Sequence, residues 1–206
     1  MSEAKRAAAE QAAQLAEDGM RLGLGTGSTV DLLLPALAAR GLSDLRCVAT
    51  SEATERQARA LGLPVEPFDT LTRLDLAIDG ADEVAPDRWL IKGGGGAHTR
   101  EKIVAAAAER FVVIVDESKV VDALSWAVPV ELLPFGLAAT LERLGPGATL
   151  RAGAPRSPDG GVIADVEADL SDPAALAARL AATPGVVDHG LFAPSLVSDV
   201  IVGRAS

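Results

Sequence analysis

The sequence predicts an α/β protein, with a mostly parallel sheet covered by helices on both faces and a smaller α+β domain after it. Three observations carry this. Short apolar runs alternate with helical stretches from residue 21 to residue 115, the pattern of βαβ units. Each run ends in a polar or glycine-rich segment. The alternation breaks near Trp126, and a last apolar run, residues 196–202, has the composition to return to the first sheet. The expected division is a main domain of residues 1–125 and 193–206, and a small domain of residues 126–192.

The elements follow in order. Residues 3–17 are rich in Ala, Glu and Gln and read as a helix. Residues 21–24 form a short strand leading into Gly25-Thr26-Gly27-Ser28-Thr29, and a helix runs on to about Arg40 with Pro35 an awkward point inside it. A strand at 45–49 precedes a helix at 51–61. A strand at 74–78 ends in the polar loop 79–83, and a short strand at 89–91 leads into four glycines. A helix at 99–110 is followed by a strand at 111–115. In the small domain, 128–133 and 161–165 read as strands and 151–160 as a turn-rich connection. Residues 172–180 read as a helix, with Ser171 as its N-cap and Pro173 in its first turn.

Composition excludes several classes. The formal charge is −10 and the isoelectric point about 4.7, a poor match to sequence-independent nucleic-acid binding. An anionic ligand would have to be drawn by local cations and backbone amides. The single cysteine, Cys47, excludes an internal disulfide and reads as a buried small residue within an apolar run. One cysteine and two histidines argue against a zinc site. No apolar run approaches the length of a membrane span, and residues 1–10 lack the apolar core of a signal peptide. The expectation is a cytoplasmic protein without nucleic-acid or membrane partners.

Ligands of parallel sheets bind beyond the carboxyl ends of the strands, and four segments lie there. In the first, glycines of residues 23–29 expose amides at a helix start, where an anion is favoured, and Thr26, Ser28 and Thr29 add hydroxyl donors. The spacing fits neither a dinucleotide nor a nucleotide-triphosphate loop; phosphate binding is the favoured reading, and a plain glycine turn with Ser28 as helix cap is the alternative. In the second, Asp79-Gly80-Ala81-Asp82-Glu83 sets three carboxylates in five residues, either a solvated turn or a lining for a polyol or lysine. In the third, Lys92 precedes Gly93-Gly94-Gly95-Gly96, and such a run usually exists so that backbone can approach a ligand. Glu101 falls in the first turn of the next helix, where pairing with the helix dipole is the ordinary explanation. The fourth segment is residues 115–119, ending at Lys119.

Arginine outnumbers lysine 15 to 4, and three of the lysines, Lys92, Lys102 and Lys119, lie in or beside strand-end loops. The fourth, Lys5, lies on a helix that reads as exposed. His98, near the glycine run, is an acid–base candidate, and His189 reads as structural.

Taken in order, residues 23–29, 79–83, 92–102 with their Thr-Arg-Glu-Lys ending, and 116–119 resemble the type A ribose-5-phosphate isomerase family. Residues 129–131 and 185–192 look like later family segments, so the likeness spans nearly the whole chain. The resemblance implies a Rossmann-like main domain with an inserted α+β domain, assembled as a homodimer or homotetramer. It implies that Thr26, Gly27, Ser28 and Thr29 contact a sugar phosphate, and that Asp79, Gly80, Ala81 and Asp82 line the sugar site. Lys92, Gly93, Gly94 and Gly95 would hold the reacting end, Glu101 would accept the proton, and Lys119 would be a further substrate contact. Such an aldose–ketose isomerisation of ribose 5-phosphate and ribulose 5-phosphate, a step of the non-oxidative pentose phosphate pathway, runs through an enediolate and needs no metal or cofactor. Glu101, Asp79, Asp82 and Lys92 are the expected catalytic set. A sugar-phosphate sensor domain of a transcriptional regulator would share the phosphate loop but need no base.

Overall fold

The computed structural model describes residues 2–205. In chain order the elements are α1 (Ser2–Ala13), β1 (Arg21–Leu24), α2 (Val30–Ala38), β2 (Arg46–Ala49), α3 (Glu52–Ala60), β3 (Leu74–Asp79), β4 (Glu83–Val84), β5 (Leu90–Ile91), α4 (His98–Ala107) and β6 (Ala108–Asp116). There follow β7 (Val128–Leu132), α5 (Leu137–Leu144), β8 (Ala148–Leu150), β9 (Val162–Val166), α6 (Pro173–Ala181), β10 (Val186–His189), β11 (Leu191–Phe192) and β12 (Asp199–Gly203).

The chain packs as two units. The first takes residues up to 81, 100–120 and from 195 on; the second takes 82–99 and 121–194. Residues 82–99, which the sequence reading grouped with the main domain, therefore fold with the second unit. The reason is pairing: β4 and β5 form an antiparallel ladder, and β5 pairs in turn with β11.

The first unit holds a five-stranded sheet in the order β12-β6-β3-β1-β2, every pair parallel, as the alternating pattern predicts. The final apolar run does return to this sheet, as β12. Leu22, Leu24, Leu76, Ile78, Val112 and Ile114 form a core with alanines of α1 and Leu33, Leu34 and Leu37 of α2. The opposite face takes α4, whose Val104 packs against Gly23. Cys47 is fully buried in the first of these layers, and burial pushes its thiol up to about 12. At the sheet edge, Gly203 of β12 approaches α1 so closely that a Cβ there would lie 1.8 Å from the Ala4 carbonyl oxygen.

Pro35 lies inside α2 without ending it. A proline removes the amide that would bond the carbonyl four residues back, here that of Asp31. The side chain of Gln57, on α3, donates to that carbonyl at 3.1 Å and replaces the missing bond.

The second unit holds two antiparallel sheets, β10-β7-β9-β8 and β11-β5-β4. Val128, Val130 and Leu132 of β7 and Ala164 and Val166 of β9 pack with Leu176 and Leu180 of α6. The N-cap of α6 is Asp172, not Ser171: the Asp172 carboxylate accepts the Ala175 amide at 2.9 Å, while the Ser171 amide bonds Asp169. Pro173 opens the helix as expected. Helix α4 stops at Ala107, three residues before its expected end, because Ala108 and Arg110 are drawn into the ladder with Leu74 and Leu76 of β3.

Candidate active site

In the first unit, the strand order puts the topological switch between β1 and β3, the place where a parallel sheet opens a crevice at its carboxyl edge. The loop after β1 and the end of β3 meet there. Asp79 is 3% exposed, which excludes the solvated turn, and its Oδ1 accepts the amides of Thr26 at 3.0 Å and Gly80 at 2.7 Å. Thr54 Oγ1 donates to the Gly25 carbonyl at 2.8 Å, and the Thr26 and Thr50 hydroxyls lie 2.8 Å apart. The loop is thus fixed from the ends of β2 and β3 and from the first turn of α3.

Ser28 does not cap α2. The cap position is Thr29, with no side-chain bond to the helix. Instead Ser28 Oγ, beside exposed Gly27, accepts the Lys5 ammonium at 2.8 Å. Lys5 is therefore not the exposed helix lysine that the sequence reading described; its side chain is 19% exposed and reaches the loop, and also stands 3.9 Å from Asp116 Oδ2. Asp116 ends β6 and caps the short 3₁₀ turn Glu117–Lys119 by accepting the Ser118 amide at 2.9 Å. Burial pushes the Asp116 carboxyl up, but the Ser118 bonds and the charges of Lys5 and Lys119 outweigh it and hold the group below the usual carboxylate range. Lys5 and Lys119 thus both act on the Asp116 carboxylate, and Lys5 also reaches the Ser28 hydroxyl, a local positive charge on an acidic chain.

Glu101 is 5% exposed in the first turn of α4. It lies one turn before Val104, on the same helix face, and Val104 packs against Gly23 two residues before Gly25.

The second unit, taken by itself, holds Asp82 and the glycine run. The Asp82 amide bonds the Ile91 carbonyl at 2.8 Å, and its Oδ2 accepts the Gly94 amide at 2.7 Å. Glu83 belongs to the scaffold: it accepts the Ser125 amide at 2.7 Å, the Ser125 hydroxyl at 2.6 Å and the Trp126 amide at 3.1 Å. Each of the three neighbouring carboxylates is thus compensated by its own donors. Lys92 is 3% exposed, with its ammonium 5.5 Å from the Phe192 ring centroid. Its amide bonds the Gly190 carbonyl at 2.9 Å, and the Gly190 amide bonds Pro129 at 2.7 Å, so residues 129–131 and 185–192 serve as the frame of Lys92. Gly94 and Gly95 are exposed, and Gly93 and Gly96 hold φ of 107° and 74°. Arg151 Nη1 donates to the carbonyls of Gly93 at 2.9 Å and Gly94 at 3.0 Å. A hollow of about 350 Å³ opens beside Gly94, lined also by Trp126, Ala127, Arg151 and Asp165.

His98 is fully buried at the start of α4, its ring packed on Gly93, where a Cβ would come 2.6 Å from Nδ1. His189 is buried, and its Nδ1 accepts the Leu191 amide at 3.3 Å. Among the described residues, no group of three or more His, Cys, Asp or Glu has the arrangement to hold a metal ion, and no helix is long and apolar enough to cross a membrane.

The family model for ribose 5-phosphate isomerase A (phosphoriboisomerase A) matches residues 46–206. This chain belongs to the ribose 5-phosphate isomerase A family. It is 48% identical over 206 residues to the ribose-5-phosphate isomerase A of Nitrobacter hamburgensis, covering 91% of this chain and 88% of that one. The crystal structure of the family member from Neisseria gonorrhoeae superposes with a TM-score of 0.94 at 35% identity, covering 98% and 93% of the two chains. A D-ribose-5-phosphate isomerase solved in complex with phospho-erythronic acid gives 0.92 at 38% identity, with 98% and 94% covered.

Two residues stand outside the set expected from sequence. Lys5 had a signal, being one of four lysines in an arginine-rich chain. Arg151 had none, because its position opens a stretch that reads only as turns.

Proposed function

We propose that this chain interconverts ribose 5-phosphate and ribulose 5-phosphate by a proton shuttle through an enediolate. The observation that carries the reading is a nearly fully buried carboxylate, Glu101, in the first turn of α4 of a chain that belongs to this family. In the open-chain aldose, Glu101 removes the proton from C2 and the electron pair moves to form the enediolate. Returning the same proton to C1 gives the ketose, and no hydride or electron leaves the sugar. Lys92 supplies positive charge for the oxygen that becomes anionic. Asp79 and Asp82 relay protons between the hydroxyls and assist opening of the furanose ring. Phospho-erythronic acid, bound by the related isomerase, combines a phosphate with a planar two-oxygen carboxylate resembling an enediolate.

The phosphate is bound by Thr26, Gly27, Ser28 and Thr29 at the start of α2, with Lys5 and Lys119 beside them. Gly80, Ala81, Gly93, Gly94 and Gly95 bring backbone close to the sugar. Phosphate contacts remote from the reaction hold C1 and C2 at the base. The cytoplasm is the proposed location and a homodimer or homotetramer the proposed form. Phe135, 92% exposed, and Leu133, 51% exposed, are apolar side chains of the kind that association covers.

The test is incubation of EDTA-treated, dialysed protein with ribose 5-phosphate, followed by assay of ketose. Ketose formation at an enzymatic rate is expected. No conversion would sink the reading, and activity that returned only with a divalent ion would replace the proton shuttle by metal-assisted chemistry.

A further inference from the structure

We propose that Arg151 is a positioning residue for the isomerisation, fixing the glycine loop that follows Lys92. The inference rests on the reading that this loop receives the reacting end of the sugar.

A run of four glycines has more conformational freedom to lose than any other sequence of its length. Something must hold it in one shape if its backbone is to meet a ligand in a fixed geometry. The peptide between Gly93 and Gly94 is gripped at both ends: its carbonyl accepts Arg151 Nη1 at 2.9 Å, and its N–H donates to Asp82 Oδ2 at 2.7 Å. The same Nη1 reaches the next carbonyl, of Gly94, at 3.0 Å. A cation and an anion thus set the orientation of one peptide plane and the start of the next.

Arg151 is itself held. It follows β8, and its amide bonds Ile163 of β9 at 3.0 Å. Its guanidinium pairs with both oxygens of Asp165 on β9, through Nε at 2.8 Å and through Nη2. That two-point pairing leaves Nη1 directed at the glycine carbonyls. Only a planar fork serves a carboxylate and two carbonyls at once; a lysine ammonium, a single point charge on a flexible stem, cannot.

The test compares Arg151→Ala and Arg151→Lys with the parent chain, measuring kcat, KM and thermal melting on folded protein. Because loop geometry rather than gross binding is at stake, kcat should fall by about 10- to 100-fold in Arg151→Ala, the scale of a misplacement of about an ångström. KM should change less, Arg151→Lys should recover little, and added guanidinium should restore part of the kcat of Arg151→Ala. A kcat within about twofold of the parent in Arg151→Ala, or a loss that merely tracks the unfolded fraction, overturns the proposal. Should Arg151→Ala fail to accumulate as folded protein, Asp165→Asn carries the test, since it loosens the anchor but keeps the donor. Its kcat should fall about 3- to 10-fold, and an unchanged kcat overturns the role. An inactive parent would sink the isomerase reading and this inference together; an active parent with unaffected variants sinks the inference alone.

Discussion

Gly25 faces the Asp79 carboxylate with no room for a side chain: a Cβ at residue 25 would lie 2.0 Å from Asp79 Cγ and Oδ1. That Oδ1 is the atom accepting the Thr26 and Gly80 amides. Gly25→Ala should therefore push Asp79 away and break the bonds that join the β1 loop to β3. We expect a stability loss of about 1–3 kcal/mol, the usual cost of overpacking, and a kcat/KM loss of more than about tenfold. Thermal melting and steady-state kinetics on the variant check both; a variant with parental kinetics would show that Asp79 tolerates displacement.

Glu101→Gln keeps size and removes the proton-accepting carboxylate. Turnover should fall by roughly 10²–10⁴, the range for a general base, with KM nearly unchanged. Near-parental kcat would take Glu101 out of the role.

Lys5 donates to Ser28, and both stand beside the start of α2. Lys5→Met should weaken ribose 5-phosphate binding at least as much as Lys119→Met, the reverse of what an exposed helix lysine would give. Ser28→Ala should cost about 1 kcal/mol of binding for one neutral donor, or up to about 3 if the bond to phosphate is charge-assisted. Inorganic phosphate should compete, and salt should raise KM. Equal kcat/KM for ribose and ribose 5-phosphate would contradict all of this.

Asp116 titrates below the usual carboxylate range in the folded protein. A depressed folded value means that its contribution is present above the unfolded value of about 3.9 and is lost as pH falls through the folded one. Asp116→Asn should thus be less stable than the parent at pH 7, and the gap should close below about pH 4. Urea unfolding at pH 7, 5 and 3 measures it; a gap independent of pH would assign the effect to something other than the carboxylate's charge.

Much of the first unit was legible because parallel strands buried on both faces read as apolar runs, and β1 and β3 stand out on that ground. The site loops were legible because glycines and lysines are conspicuous where they serve backbone approach and charge. The second unit was read less fully. Helix α5 and strands β8 and β10 are short, β8 and β10 are mostly unburied, and the partner of β10, β7, is distant in sequence. The end of α4 was misjudged because helix-forming residues at 108–110 yield to the β3 ladder, a tertiary decision. Lys5 and Arg151 act at loops 23 and 58 residues away, and no local pattern announces such reach.

The closeness of Gly203 to Ala4 brings the last strand of the chain against its first helix. During synthesis α1, β1, β3 and β6 emerge long before β12, so β6 waits as an open sheet edge until residues 199–203 emerge. Contacts so distant in sequence are also slow to form from the denatured chain. The ribosome-bound chain should therefore be exposed to wrong pairing along β6 from its emergence until that of β12.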